Sequence, residues 1–219
     1  MSITLDSSSQ KATSWSSGTS MTWSHTNTAG DYLVVAIENN FPGTDNITGV
    51  TYAGVSMSLL ATFYDSTAQC RFWIYGLAAP STGANNIVAS FSGSNTLMYG
   101  GAETLIGCKQ TSQPDASIGG KSGSSPHTES LTTIADNSWL VGITAGRTPI
   151  GAGTSTTLRQ DGTSGTDSGI IDSNGVKSPA GSYSLSVTTT SGGSNGILFV
   201  SIAPVATARR SNLLLLGVS

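Results

Sequence analysis

The sequence predicts an all-β protein, and three observations carry that expectation. Only 10% of the 219 residues are charged, against roughly a quarter in an average soluble domain. The polar surface must therefore come from Ser, Thr, Asn, Gln and Gly, which suit strands and turns better than surface helices. Twenty-seven glycines supply the positive φ angles that many tight turns need. Finally, short apolar runs recur between turn clusters along the chain, a pattern that a disordered Ser/Gly-rich polymer lacks.

In chain order, Ile3 and Leu5 alternate with polar residues and open an entry segment, followed by a Ser/Thr/Gly loop around Trp15. Residues 20–25 alternate again and place Met21, Trp23 and His25 on one face. Residues 32–38, Tyr-Leu-Val-Val-Ala-Ile-Glu, form the longest apolar run outside the C-terminus and predict a strand buried on both faces. A loop at 41–46 precedes a hairpin over 50–59, with Ala53-Gly54 at its turn. Residues 59–64, the aromatic run 70–77, the alternating segment 86–91 and residues 97–106 complete the strands of a first half, and 108–128 looks like a long polar loop. The second half begins with strands at 129–134 and 139–144. The latter, Trp-Leu-Val-Gly-Ile-Thr, is a near copy of the run at 32–38. Short strands are expected at 154–158 and 168–172, an alternating one at 182–190 and a last core strand at 197–202.

The halves echo one another beyond the twin strands. Pro80 and Pro179 precede alternating strands that end at Gly93 and Gly192, with equal spacing. Two related halves of about 100 residues, roughly 1–107 and 129–204, account for this. Turn residues shared by composition account for it as well. No Pro-rich or charged spacer separates the halves, so the expectation is one antiparallel β-sandwich over residues 1–204. It should hold twelve to fourteen strands, jelly-roll-like in type, with residues 205–219 as a C-terminal tail.

The net charge is −3, and Arg209-Arg210 is the only adjacent basic pair, so no electrostatic footprint for nucleic acid exists. No run approaches the length of a membrane-spanning helix. The N-terminal Met-Ser-Ile-Thr-Leu-Asp lacks the basic and apolar regions of a secretory signal, which predicts synthesis in a cytoplasm. Cys70 and Cys108 both fall in expected strands, where a disulfide and two buried thiols fit equally.

Candidate chemistry is thin. Residues 192–196, Gly-Gly-Ser-Asn-Gly, match G-x-S-x-G, but a strand follows where a nucleophile elbow needs a helix. Residues 119–122, Gly-Gly-Lys-Ser, resemble the end of a phosphate loop without its first glycine or its helix. His25 and His127 have no metal-ligand spacing with either cysteine. Glu38, Asp65, Glu103 and Glu129 are the acids that a sandwich glycosidase would draw on, with Glu103 notable for sitting within an apolar strand. Asp161, Asp167 and Asp172 lie among glycines without the order of a calcium loop. The sequon Asn46-Ile47-Thr48 matters only after secretion. The expectation is no catalytic residue, no metal and no cofactor.

Two features point to binding. Aromatic residues gather in the first half, and Trp15 and Trp73 are the candidates for stacking on a glycan. Beyond the last core strand, Arg209 and Arg210 precede Leu213, Leu214, Leu215 and Leu216. An exposed tetraleucine is an aggregation hazard, so it pairs within the domain or docks on a neighbouring subunit by strand addition.

The succession Leu5-Asp6, Trp23-Ser-His25, Asp31-Tyr-Leu-Val-Val, Val50-Thr-Tyr-Ala-Gly54, Trp73-Ile-Tyr, Pro80-Ser-Thr-Gly83, Ile106-Gly107 and Gln113-Pro114-Asp115 resembles a β-sandwich domain. That domain recurs in bacteriophage structural proteins and in bacterial surface or secreted proteins. The resemblance spans residues 3 to 204 and rests on packing and turn residues. It implies a jelly-roll-like fold and a place in a virion or at a cell surface, and it carries over no catalytic residue. The resulting expectation is a non-enzymatic virion component (a capsid decoration protein, head fibre or tail part) that contacts copies of itself and other virion proteins. The alternative is a carbohydrate-binding module or adhesin, and a polysaccharide-cleaving enzyme relying on Glu38 or Glu103 comes third.

Overall fold

The computed structural model describes residues 2–11, 16–40, 45–67, 69–122, 124–146, 150–161, 168–190 and 195–206. These form an all-β protein of antiparallel sheets, with no helix among the described residues. The strands of the first half are β1 (Thr4–Gln10), β2 (Ser16–Asn27), β3 (Tyr32–Asn40), β4 (Ile47–Tyr52), β5 (Val55–Ser56), β6 (Ser58–Asp65), β7 (Cys70–Ala78) and β8 (Gly83–Ile106). Those of the second are β9 (Ala116–Ser122), β10 (His127–Thr132), β11 (Trp139–Gly146), β12 (Ile150–Ala152), β13 (Thr157–Asp161), β14 (Ser168–Asp172), β15 (Ser182–Thr189) and β16 (Asn195–Ile202).

Strand β8 organises the first half. Its beginning pairs with β2 and β4, and its end pairs with β1 and β3. Between Phe91 and Met98 one continuous strand therefore passes from an outer layer to an inner one. The two segments expected at 86–91 and 97–106 are this single strand. The inner layer runs β1-β8-β3-β7-β6 and the outer layer β2-β8-β4-β5. Between them lies a core rich in aromatics, with Trp23, Tyr52, Trp73, Tyr75 and Phe91 packed around Leu33, Val35 and Ile37.

The second half repeats this order. Its inner sheet is β9-β16-β11-β14-β13 and its outer sheet is β10-β15-β12. Each strand takes the place of a first-half strand: β9 for β1, β10 for β2, β11 for β3, β12 for β4, β13 for β6, β14 for β7, and β15 and β16 for the two ends of β8. Only β5 has no counterpart. Small polar fastenings recur with the strands. The Asp6 carboxylate accepts the N–H groups of Thr28 and Ala29 at 2.8 and 3.3 Å. Asp115 accepts those of Ile134 and Ala135 at 2.6 and 3.0 Å. Each aspartate thus ties its half's first strand to the turn after its second.

The two inner sheets pack face to face, so the chain is a stack of four layers. Across the joint β3 meets β11, β7 meets β16, β8 meets β14, β6 meets β9 and β1 meets β13. Under the strand equivalence above, β3–β11 maps onto itself, β7–β16 onto β14–β8 and β6–β9 onto β13–β1, so the joint approximates a two-fold interface, with β16–β6 and β11–β7 as further contacts. The alternation of β3 explains why it is buried throughout. Tyr32, Val34 and Ala36 enter the joint, while Leu33, Val35 and Ile37 enter the first-half core. Strand β11 does the same with Trp139, Val141 and Ile143 on one side and Leu140 on the other.

Strand β9 corrects the expected 108–128 loop. Its glycines mask it, and close packing on both its faces requires them, against β6 across the joint and against β10 within the second half. A Cβ at Gly119 would stand 2.5 Å from the Phe63 ring, and one at Gly120 would stand 1.8 Å from Glu129 Oε1. The Gly-Gly-Lys-Ser segment is therefore strand backbone, not a phosphate loop.

Candidate functional site

The outward faces of the two outer sheets are paved with hydroxyls. Ser20, Thr22, Ser24 and Thr26 on β2, with Asn86 and Ser90 on β8, are exposed on one face. Thr128, Ser130 and Thr132 on β10 and Ser182 on β15 are exposed on the other. Cross-strand bonds knit the second array, Thr128 Oγ1 donating to Ser186 Oγ at 3.0 Å and the Ser130 and Ser184 hydroxyls lying 2.8 Å apart. These surfaces carry no charge at the named positions, which is where the low charge content of the sequence is spent. Because the halves are stacked inner sheet to inner sheet, the two faces point away from one another.

The joint between the halves collects the acids. Glu38, Asp65, Glu103 and Asp172 are all fully buried. Glu38 receives a hydrogen bond from Ser168 Oγ at 3.1 Å, and burial pushes its carboxyl up to about 8. Glu103 lies beside Asp172, Arg159 and the Trp139 indole, and burial followed by the Asp172 charge raises it well above the carboxylate range. Asp172 accepts from Arg159 Nε at 2.7 Å and is itself raised by burial. Glu38 and Glu103 thus fold as neutral acids. Sealed between sheets, they offer a saccharide no approach, so the catalytic role weighed for them has no geometry behind it. The calcium role for Asp172 gives way to its ion pair with Arg159. Asp167 lies outside the described residues, and no group of three or more His, Cys, Asp or Glu converges among those described.

The remaining candidates are also structural. His25 is buried against Ser9 Oγ, 2.8 Å from its Nδ1, and against the Thr104 hydroxyl. Burial lowers it to about 4. His127 is 2% exposed and pairs with Glu129 at 2.9 Å. Its place after Pro126 in an expected loop predicts an exposed ring, and the structure buries it instead. Cys70 and Cys108 form no disulfide and are buried, both in the joint, which resolves the two cysteine readings in favour of thiols.

Trp73 needs the firmest correction as a glycan-stacking residue. It is 0% exposed, lies against Phe91 in the first-half core, and donates its indole N–H to Asp45 Oδ1 at 3.1 Å. The alternation that turns Phe72 into the joint turns Trp73 into this core, so neither face of the indole is free. Trp15, the other stacking candidate, lies outside the described residues. So do the assembly residues Arg209, Arg210, Leu213, Leu214, Leu215 and Leu216.

Lys177 is a residue that the sequence alone does not single out. It stands in the connection between β14 and β15, at the edge of a depression of about 380 Å³ on the second outer face. A lone lysine between Asn174-Gly175 and Pro179 carries no motif, and only the fold gives it neighbours. No protein-family model matches the chain, and no curated protein or solved structure is significantly similar to it.

Proposed function

We propose that the protein is a non-enzymatic structural component of a phage particle, synthesised in the host cytoplasm and acting through subunit contacts. A capsid decoration protein, a head fibre or a tail part are the forms this reading takes. One observation carries it: two like outer sheets, each clad outward mainly in hydroxyls, are held back to back and face opposite directions, the shape of a bridging element between neighbours. The strand order supports the jelly-roll reading of each half, since 1-8-3-7 against 2-8-4-5 alternates strands between sheets as two interlocked Greek keys do. Viral capsid and lectin domains both use that architecture. The resemblance in the packing and turn residues points the same way.

The test is the solution mass of the full chain against a chain ending at Ala208, both at a concentration of about 50 µM, a range where weak assembly contacts become visible. A full-length oligomer and a folded monomeric truncation support assembly through Arg209, Arg210 and the four leucines. Two monomers of equal stability remove that mechanism, and glycan binding becomes the better reading. The hydroxyl-clad outer faces favour that second reading, because hydroxyls match the donors and acceptors of a sugar.

A further inference from the structure

The halves share a scaffold, so a local departure from the shared plan marks where one half has acquired something of its own. The largest departure is on the second outer face. In the first half, the chain after β4 turns at Ala53-Gly54 and returns as β5, the fourth strand of the outer sheet. In the second half no such strand follows β12. Residues 153–156 curl against β15 instead, Gly153 N–H donating to the Ser186 carbonyl at 2.8 Å and Ser186 N–H donating to Thr156 Oγ1 at 2.7 Å. This turn raises Thr154 and Ser155 as one wall of the depression of about 380 Å³. Lys177 stands in the opposite connection, where the first half has alanine by the spacing of Pro80 and Pro179.

The lining is chemically one-sided. Thr128, Thr154, Ser155, Ser182 and Ser184 bring hydroxyls, Lys177 brings the single charge, and no carboxylate contributes. Among the described residues no acid lies within ion-pair distance of Lys177. Tyr183 donates its hydroxyl to the Pro179 carbonyl at 2.6 Å and packs its ring against the second-half core, which fixes it at the rim. The first half has a depression of about 520 Å³ around Thr48, Met57, Leu59 and Tyr75 on its own outer face, and no charged residue lines it. One molecule therefore contains both the charged groove and an uncharged depression elsewhere on its surface.

We propose that the groove beside Lys177 binds an acidic sugar, a carboxylated pyranose, with the carboxylate on the Lys177 ammonium and the ring hydroxyls on the serine and threonine side chains. The volume suits a ligand of that size, since small-molecule sites begin at roughly 300 Å³ and a bare oxyanion fills far less. A charge-assisted bond to the ammonium supplies orientation, and the hydroxyl pavement supplies the neutral contacts. This goes beyond the assembly role and does not depend on the C-terminal tail, so either can fail alone.

The test is amide chemical-shift mapping on the full chain with sodium glucuronate, glucose and sodium phosphate, each raised to about 30 mM, where weak single-sugar binding is visible. Glucuronate is expected to shift the amides of 154–155, 177 and 182–186 with saturation. Glucose should shift the same amides at least about five-fold more weakly, as loss of one charge-assisted bond implies. Lys177→Gln should weaken glucuronate by about the same factor and leave thermal stability unchanged. Equal shifts with phosphate would reduce the site to a simple anion contact and overturn the sugar assignment. No saturable shift in this groove, or an undiminished one in Lys177→Gln, would overturn the site. Ser184→Val, a second variant, must also weaken glucuronate if the hydroxyls take part.

Discussion

The first and second halves have one strand order and very different interiors. The first-half core holds Trp23, Tyr52, Trp73, Tyr75 and Phe91, whereas the second is built from Leu131, Leu140, Ile171, Leu185, Val187, Ile197 and one aromatic, Phe199. A bulky aromatic core and a slighter aliphatic one support the same path of the chain. Alternation, turn placement and the aspartate fastenings are therefore what specify the path, and core side chains need only fill the space that results. The slighter half leans harder on the joint. Trp139, Val141, Ile143 and Ile170 bury one face of its inner sheet there, and its outer sheet has only three strands.

The largest test of this contrast is to open a cavity in each core. Trp73→Ala should cost about 4 kcal/mol and Phe199→Ala about 3 kcal/mol in urea unfolding. Because the joint is common property, each variant should still unfold in one transition. Two resolved transitions in Phe199→Ala would show that the halves are stable separately, and the dependence argued above would be wrong.

The acids in the joint come next. Glu38 is neutral in the fold and titrates at about 8, whereas an unfolded glutamate titrates near 4.3. Its contribution is complete below the unfolded value and is lost as pH rises through the folded one. Glu38→Gln should therefore stabilise the protein at about pH 8 by on the order of 5 kcal/mol. At about pH 4 the variant and parent should match. A variant that gains nothing in alkali would mean that Glu38 reaches solvent in the folded protein. Glu103→Gln should shift stability in the same direction, since burial and the Asp172 charge raise the Glu103 carboxyl as well.

A smaller effect asks whether the fastenings are equivalent. Asp6→Ala and Asp115→Ala each release two backbone N–H groups, and each should cost about 1 to 2 kcal/mol. Denaturant midpoints that move by unlike amounts would mean that the halves share strand order but not the load on it.

The smallest change concerns His25, which has no counterpart in the second half. Burial holds it to about 4, so its neutral form dominates in the fold. Stability tied to it is present above its unfolded value near 6.5 and is lost as pH falls toward 4. With Glu38 acting from the other side, stability should be flattest between about pH 4.5 and 6.5. Titration of the imidazole by proton NMR, with a midpoint at 6 or above, would contradict the buried setting.

Much of this was legible in the residues. The runs at 32–38 and 139–144 announced the two central strands because each is buried on both faces and so lost its polar positions. Residues 20–25 showed their inward face by alternation alone. What stayed hidden has physical causes. Strand β9 was masked because Phe63 and Glu129 need the room that Gly119 and Gly120 leave. The unity of β8 was masked because Gly93-Ser94-Asn95 looks like a turn wherever it occurs, and only pairing to two layers reveals a bend. Trp73 illustrates a different limit. Adjacent Phe72 and Trp73 had to face opposite ways, but which side was solvent depended on a third and a fourth layer that no local pattern encodes. Lys177 acquired meaning only when the fold brought it beside Thr128, Thr154 and Ser155, which are distant in sequence, as well as the nearby serines of β15.

The joint also has a concentration. Most of its facing pairs exchange under the strand equivalence, so the contact resembles the kind that two separate molecules make when they form a dimer. Here the segment between β8 and β9 ties the partners together, and a short tether presents each half to the other on the order of millimolar. A contact too weak to hold free halves at micromolar levels stays closed under that tether. The joint can therefore carry four buried carboxylates, a composition that two independent subunits would have to offset with a stronger interface.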